Sequence, residues 1–268
     1  MSSDTLENET AAEVDKPEFD RDSTANTIKV AVQLCLVCSI IVSFCAVYLR
    51  PFQEANKKAF EQENILKAAG LYEEGSDLET VFKKVTPRIV DLNTGSYADD
   101  IDIESFDTAK AAREGTPPIN DIARVKRREA FAKIYEVDNE IDGKQIILPI
   151  RGYGLWSTLY GFIALDVSEI EGGLDKVKVK GLSYYKHGET PGLGGEVDNP
   201  NWKAKWPGKQ LFDSDGNVVI QVAKAAKGDT QVDALSGATI TSKGVTNMLQ
   251  FWLGSEGYGP FLKTLQNK

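Results

Sequence analysis

Residues 30–49 read V-A-V-Q-L-C-L-V-C-S-I-I-V-S-F-C-A-V-Y-L, twenty residues without a charge. Nothing else in the chain restricts its fold as strongly. At 1.5 Å of rise per residue, a helix of that length is about 30 Å long, the thickness of a bilayer's hydrocarbon core. Lys29 stands at one end, and Tyr48, Arg50 and Pro51 mark the other. A cleaved signal peptide would carry a basic leader and a shorter apolar core. Here the leader is long and acidic, with eight acids and three bases in residues 1–29. Ser43-Phe44-Cys45 is a faint small-x-small cleavage pattern, and bulky Phe44 argues against lipid attachment at Cys45. The expected arrangement is a single membrane span behind an acidic, disordered tail over residues 1–29. Lys16, Arg21 and Lys29 on one side balance Arg50, Lys57 and Lys58 on the other. The positive-inside rule is therefore tied and leaves the orientation open.

All three cysteines, Cys35, Cys38 and Cys45, fall inside the apolar run. The C-x-x-C at 35–38 has no second ligand pair, so small apolar fillers of a membrane helix describe it better than a metal or redox site. Of the net charge of -9, the leader holds -5. The near-balanced remainder lacks the basic face that a nucleic-acid partner needs.

Beyond the span, residues 52–71 have helical spacing of Ala55, Ala59, Phe60, Ile65, Leu66 and Ala69, with Gly70 as a stop. A juxtamembrane helix over 50–71 and a body over 72–268 follow. Residues 99–118 form a polar excursion closed by Gly115-Thr116-Pro117-Pro118. The body then turns to strand patterns: 132–137 and 145–150 around an Asp142-Gly143 turn, 159–166, the alternating 176–180 extended through 182–185, and 210–220 around D-S-D-G. The fold class expected is α+β, with one N-terminal transmembrane helix and a soluble domain built on a mainly antiparallel sheet with flanking helices.

Three stretches stand out from this scaffold: G-Y-G-L-W-S-T-L-Y-G at 152–161, H-G-E-T-P-G-L-G-G-E at 187–196, and D-A-L-S-G-A-T-I-T-S-K-G-V at 233–245. In the last, Val245, Met248, Leu249, Trp252 and Leu253 share one face of a helix. Thr241 or Ser242 is the natural N-cap, which puts Thr239 just before a helix N-terminus, where amides and dipole favour a phosphate. The plainer alternative is a glycine turn with a capping threonine. The loop P-G-L-G-G exposes backbone and suits a flat ring, with Trp156, Tyr160 and Tyr185 as apolar walls or as ordinary core. His187 is the only histidine. A Ser–His–Asp hydrolase would need Ser157 or Ser236, and neither lies in a G-x-S-x-G elbow.

The S-G-A-T at 236–239, preceded by Asp233, resembles the motif at which bacterial flavin transferases attach FMN to protein. H-x-E-T-P-G-L-G at 187–194 and G-L-W-S-x-x-Y-G at 154–161 are similar to stretches of one narrower family, the NqrC subunits of the Na+-translocating NADH:quinone reductase. So are R-P-x-Q-x-x-N at 50–56, I-L-x-A-A-G-L at 65–71 and Y-G-P-F-L at 258–262. The resemblance implies covalent FMN as a phosphoester of Thr239, framed by Ser236, Gly237 and Ala238. It implies a transferase that reads Asp233 and takes FMN from FAD with Mg2+. Leu155, Trp156, Ser157, His187, Glu189, Thr190, Pro191, Gly192 and Leu193 are then expected around the ring, with no metal ligands. It further implies an electron-relaying subunit, one of six in a complex of the bacterial inner membrane that couples NADH oxidation and ubiquinone reduction to Na+ export. The N-terminus would be cytoplasmic and the FMN domain periplasmic. The alternatives are the FMN subunit of an ion-translocating ferredoxin:NAD+ oxidoreductase, or a membrane-anchored flavin sensor, which would be expected to carry an output domain.

Overall fold

A computed structural model describes residues 23–139, 141 and 143–267. Most of the acidic leader, residues 1–22, lies outside them. The chain divides into two compact units, residues 1–55 and residues 56–268.

The first unit holds the greater part of helix α1 (Thr24–Ala69). Its most apolar 18-residue window has a mean hydropathy of 2.6 and no buried residue. Water would not tolerate that much bare Val, Ile, Leu and Phe, and hydrocarbon is the solvent that fits it. The separate helix expected after residue 50 is part of α1, which starts before the apolar run and passes through Pro51. A proline removes one backbone hydrogen bond, a small loss in a helix of 46 residues. The expected stop is where Gly70 puts it. Gly70 adopts φ 71°, and Leu71 N–H closes back on the Leu66 carbonyl at 2.9 Å.

The second unit is built on a six-stranded sheet in the order β2-β1-β3-β4-β5-β6, antiparallel at every pairing. Its strands are β1 (Thr86–Asp91), β2 (Ser96–Tyr97), β3 (Phe131–Asn139), β4 (Gly143–Tyr153), β5 (Thr158–Asp166) and β6 (Lys178–Lys186). Four come from runs with the expected alternation; β1 and β2 do not. Short helices α2 (Leu78–Phe82), α3 (Thr108–Glu114) and α4 (Pro200–Lys203) decorate the connections. The polar excursion at 99–118 contains α3, whose first amides are capped by Asp107.

Period-two alternation sends side chains to opposite faces. Ile134, Ile146, Leu148, Ile150, Leu159, Ile163 and Leu165 form the face covered by α5 (Thr239–Leu253) and α6 (Gly259–Gln266). Val245, Met248, Leu249, Trp252 and Leu253 of α5 are all buried there, as their spacing predicts. On the opposite face, Tyr135, Val137, Ile147, Phe162 and Ala164 pack on Ile65, Leu66, Ala68 and Ala69 of α1. Buried Asn64 accepts a hydrogen bond from Ser183 Oγ at 2.8 Å on this face. The fit needs a glycine at 181, because a Cβ there would stand 2.3 Å from the Ala68 carbonyl oxygen. Gly181→Ala is expected to push the helix off the sheet and cost about 1–3 kcal/mol, read as a lower thermal midpoint.

The hairpin expected at 210–220 shrinks to one bridge, Phe212 to Val218. The Asp213 carboxylate takes the amides of Asp215 and Asn217 that a longer ladder would have used. The next segment, β7 (Gln221–Ala223), instead pairs in parallel with β8 (Gln231–Asp233), which leads into the third stretch.

Candidate functional site

β8 ends at Asp233, and the chain turns sharply before α5. Gly237 takes φ 70°, a left-handed conformation that costs glycine nothing. Helix α5 then begins at Thr239, with Ala238 in the cap position and no side-chain cap. The expected capping by Thr241 or Ser242 is corrected here. Both hydroxyls are buried and serve distant partners: Thr241 Oγ donates to Glu189 Oε2 at 2.7 Å, and Ser242 Oγ accepts from Leu235 N–H at 3.0 Å. Thr239 is therefore the first residue of the helix rather than its forerunner. It is exposed, as are Ser236 and Gly237, and only Ala238 between them is buried.

The two other stretches converge on this turn through Glu189. It is 5% exposed. Its carboxylate accepts from the amides of Leu155 (3.2 Å), Trp156 (3.0 Å) and Ser157 (3.1 Å), from Ser157 Oγ (3.3 Å), and from Thr241. One side chain thus ties the β4–β5 turn, its own loop and the first turn of α5 together. Burial pushes its carboxyl up, but the bonds from Thr241 and the three amides outweigh this and hold it below its ordinary value. Glycines make room for the clamp. A Cβ on Gly154 would lie 2.7 Å from Glu189 Oε1, and one on Gly194 would lie 2.6 Å from Thr241 Oγ1. Leu193 reaches across to the turn, where a Cβ on Gly237 would meet it at 2.9 Å.

Around the first turn of α5, four apolar side chains face water. These are Leu155, Trp156 (67% exposed), Leu193 (44%) and Ile240. Thr190, Pro191 and Gly192 form the exposed loop before Leu193. Such a cluster on a soluble domain is a surface waiting for a flat apolar partner.

Several expected site residues have other tasks. His187 Nε2 pairs with Asp198 Oδ2 at 2.7 Å, and its Nδ1 accepts the Glu189 amide at 3.3 Å, so the ring orients its loop. Among the described residues, no hydrogen bond joins His187 to Ser157 or Ser236. Ser157 Oγ is held between Glu189 and the Gly188 amide. Asp233 accepts from Lys205 Nζ at 2.7 Å and from Ala226 N–H, while its carbonyl takes the Trp202 indole at 2.7 Å. The Lys205 contact holds the Asp233 carboxyl below the ordinary range. Tyr160 and Tyr185 are not walls of this site. Strand alternation puts them beside Phe162 on the sheet face away from α5. No cluster of metal-binding side chains occurs among the described residues.

The helix end also changes how a phosphate would be held. Its positive pole already faces an ionised carboxylate, Glu189, through Thr241. Electrostatic capture of a second anion at Thr239 is weakened by that neighbour, whereas a covalent ester on an exposed hydroxyl needs no such capture.

A family model described as "FMN-binding domain" matches residues 154–254, a segment that holds the second and third stretches and the first from Gly154 onward. The C subunit of the Na(+)-translocating NADH-quinone reductase of Pseudomonas aeruginosa is 46% identical over 264 residues, covering 92% of this chain and 98% of that protein. Its counterpart in Haemophilus ducreyi is 42% identical over 252 residues, covering 91% and 95%. Among solved structures, the crystal structure of Shewanella oneidensis NqrC superposes with a TM-score of 0.71 at 34% identity, covering 80% of this chain and all of that one. The corresponding protein of Parabacteroides distasonis gives a TM-score of 0.62 at 30% identity, covering 80% and 96%.

Proposed function

The chain belongs to the NqrC family, the C subunits of the Na(+)-translocating NADH-quinone reductase, and from that premise we propose that it carries FMN covalently on Thr239 and relays electrons within a membrane complex. It is an FMN-binding, membrane-anchored subunit of the sodium-translocating oxidoreductase. The finer reading concerns how the flavin is held. The observation that carries it is the exposed Thr239 hydroxyl, placed at the first residue of α5 and ringed by exposed Leu155, Trp156, Leu193 and Ile240.

FMN supplies reversible electron acceptance, and the chain supplies position and polarity. Thr239 holds the phosphate as an ester. Leu155, Trp156 and Leu193 cover the ring and exclude water from it. Ser236, Gly237 and Ala238 keep the approach to the hydroxyl open. A flavin transferase with Mg2+ makes the bond, reading Asp233 and the S-G-A-T turn: the Thr239 oxygen bonds to the FMN-side phosphorus of FAD, the pyrophosphate P–O bond breaks, AMP leaves and the hydroxyl proton is released. The exposure of that turn supports access by a second protein. The complex has six subunits, the N-terminus is cytoplasmic and the FMN domain is periplasmic.

The test is intact mass under denaturing conditions, on protein made with and without the transferase. A gain of one FMN less one water, mapped to the peptide with Thr239 and dependent on the transferase, is expected. Flavin that is released on denaturation would leave an FMN-binding protein without the ester.

A further inference from the structure

Six of the hydrogen bonds recorded at the site end on one carboxylate, and none of them comes from a cationic side chain. Among the described residues, no ion pair involves Glu189. An ionised group that is 5% exposed without a countercharge is uncommon. Amide and hydroxyl dipoles stabilise it, and its charge sits against Thr241, two residues along α5 from Thr239, and against the backbone that carries Leu155 and Trp156.

We propose that Glu189 is a positioning residue that also sets the reduction potential, its fixed negative charge holding the potential of the flavin down. The proposal rests on the reading of Thr239 and its apolar rim as the FMN site. Reduction adds an electron to the ring. A like charge fixed nearby makes that addition less favourable. The same side chain cannot be replaced by an apolar one without stranding three amides, so assembly of the site and charge arrive together.

Glu189→Gln separates the two effects. Its amide oxygen still accepts from the Leu155–Ser157 amides, and its NH2 meets a Thr241 hydroxyl that can turn to accept. Full-length protein, flavinylated in cells and purified in detergent, is titrated redox-potentiometrically with flavin absorbance as the readout, and intact mass confirms the load. The expected result is a rise of about tenfold in the reduction equilibrium, about 59 mV for a one-electron couple. Thr241→Val is the companion variant. It keeps the charge and removes a donor that screens it, so the potential is expected to fall. A purely structural role moves both variants in the same direction.

A flavinylated Glu189→Gln protein with the wild-type potential overturns the proposal. If that variant does not fold, the Thr241→Val titration decides: a fall supports the proposal, and an unchanged or raised potential defeats it. Wild-type protein without flavin mass would instead bring down the functional reading beneath it.

Discussion

Thr239→Ala protein made beside the transferase is expected to fold normally and to carry no covalent flavin. The two halves of this expectation have different grounds. Thr239 is exposed, and no recorded hydrogen bond among the described residues uses its hydroxyl. Alanine is also the better helix former. The change should therefore move stability by no more than about 0.5 kcal/mol. The chemical half is all-or-none, since a methyl group cannot be phosphoesterified. Thr239→Ser restores a hydroxyl on the same Cβ and is expected to regain some of the added mass. Ser236→Ala, on the exposed turn before the helix, is expected to keep it. Intact mass and visible absorbance of the three variants read the outcome. Undiminished covalent flavin on Thr239→Ala would move the attachment elsewhere and remove the basis of the proposed site.

How much of this was legible beforehand depended on whether the signal was local. The membrane helix, the buried face of α5, the stop at Gly70 and four strands of the sheet follow from spacing along one segment. The capping of α5 did not. Thr241 and Ser242 have the chemistry of N-caps, but both are buried, and tertiary partners claimed their hydroxyls. Parity decides between the two readings of Tyr160 and Tyr185 in favour of ordinary packing. Aromatic character alone left them as walls or core, and alternation along β5 and β6 sends these rings to the face away from α5. Thr86–Asp91 carries little alternation and becomes a strand because β3 offers it a partner. The role of Glu189 had one visible hint, an acid near the start of a glycine-rich loop. That two glycines 40 residues apart, Gly154 and Gly194, are cleared for the same carboxylate emerges only in three dimensions.

The largest expected loss of stability lies behind the site, at Glu129. Its carboxylate and the Arg151 guanidinium form a two-pronged pair, with both N–O distances 2.6 Å. Their side chains are 3% and 14% exposed. Arg151 Nη2 also donates to the Arg127 carbonyl at 2.8 Å, and the guanidinium lies 5.0 Å from the centre of the Trp252 ring. The pair therefore fastens the segment before β3 to the end of β4 that leads into Gly154. Glu129→Ala leaves a buried guanidinium without its carboxylate. Removing one partner of a buried pair costs about 3–5 kcal/mol. At roughly 2–4 °C per kcal/mol for a domain of this size, the thermal midpoint should fall by roughly 6–20 °C. The same argument predicts the opposite for the double variant. Glu129→Leu with Arg151→Met strands no charge and substitutes apolar contact, so it should melt far closer to wild type than either single change. Calorimetric melts of the three proteins give the comparison. A Glu129→Ala protein melting within about 2 °C of wild type would mean that water or another acceptor already satisfies Arg151, and that the β4 end owes its position to Trp252 and α5 instead.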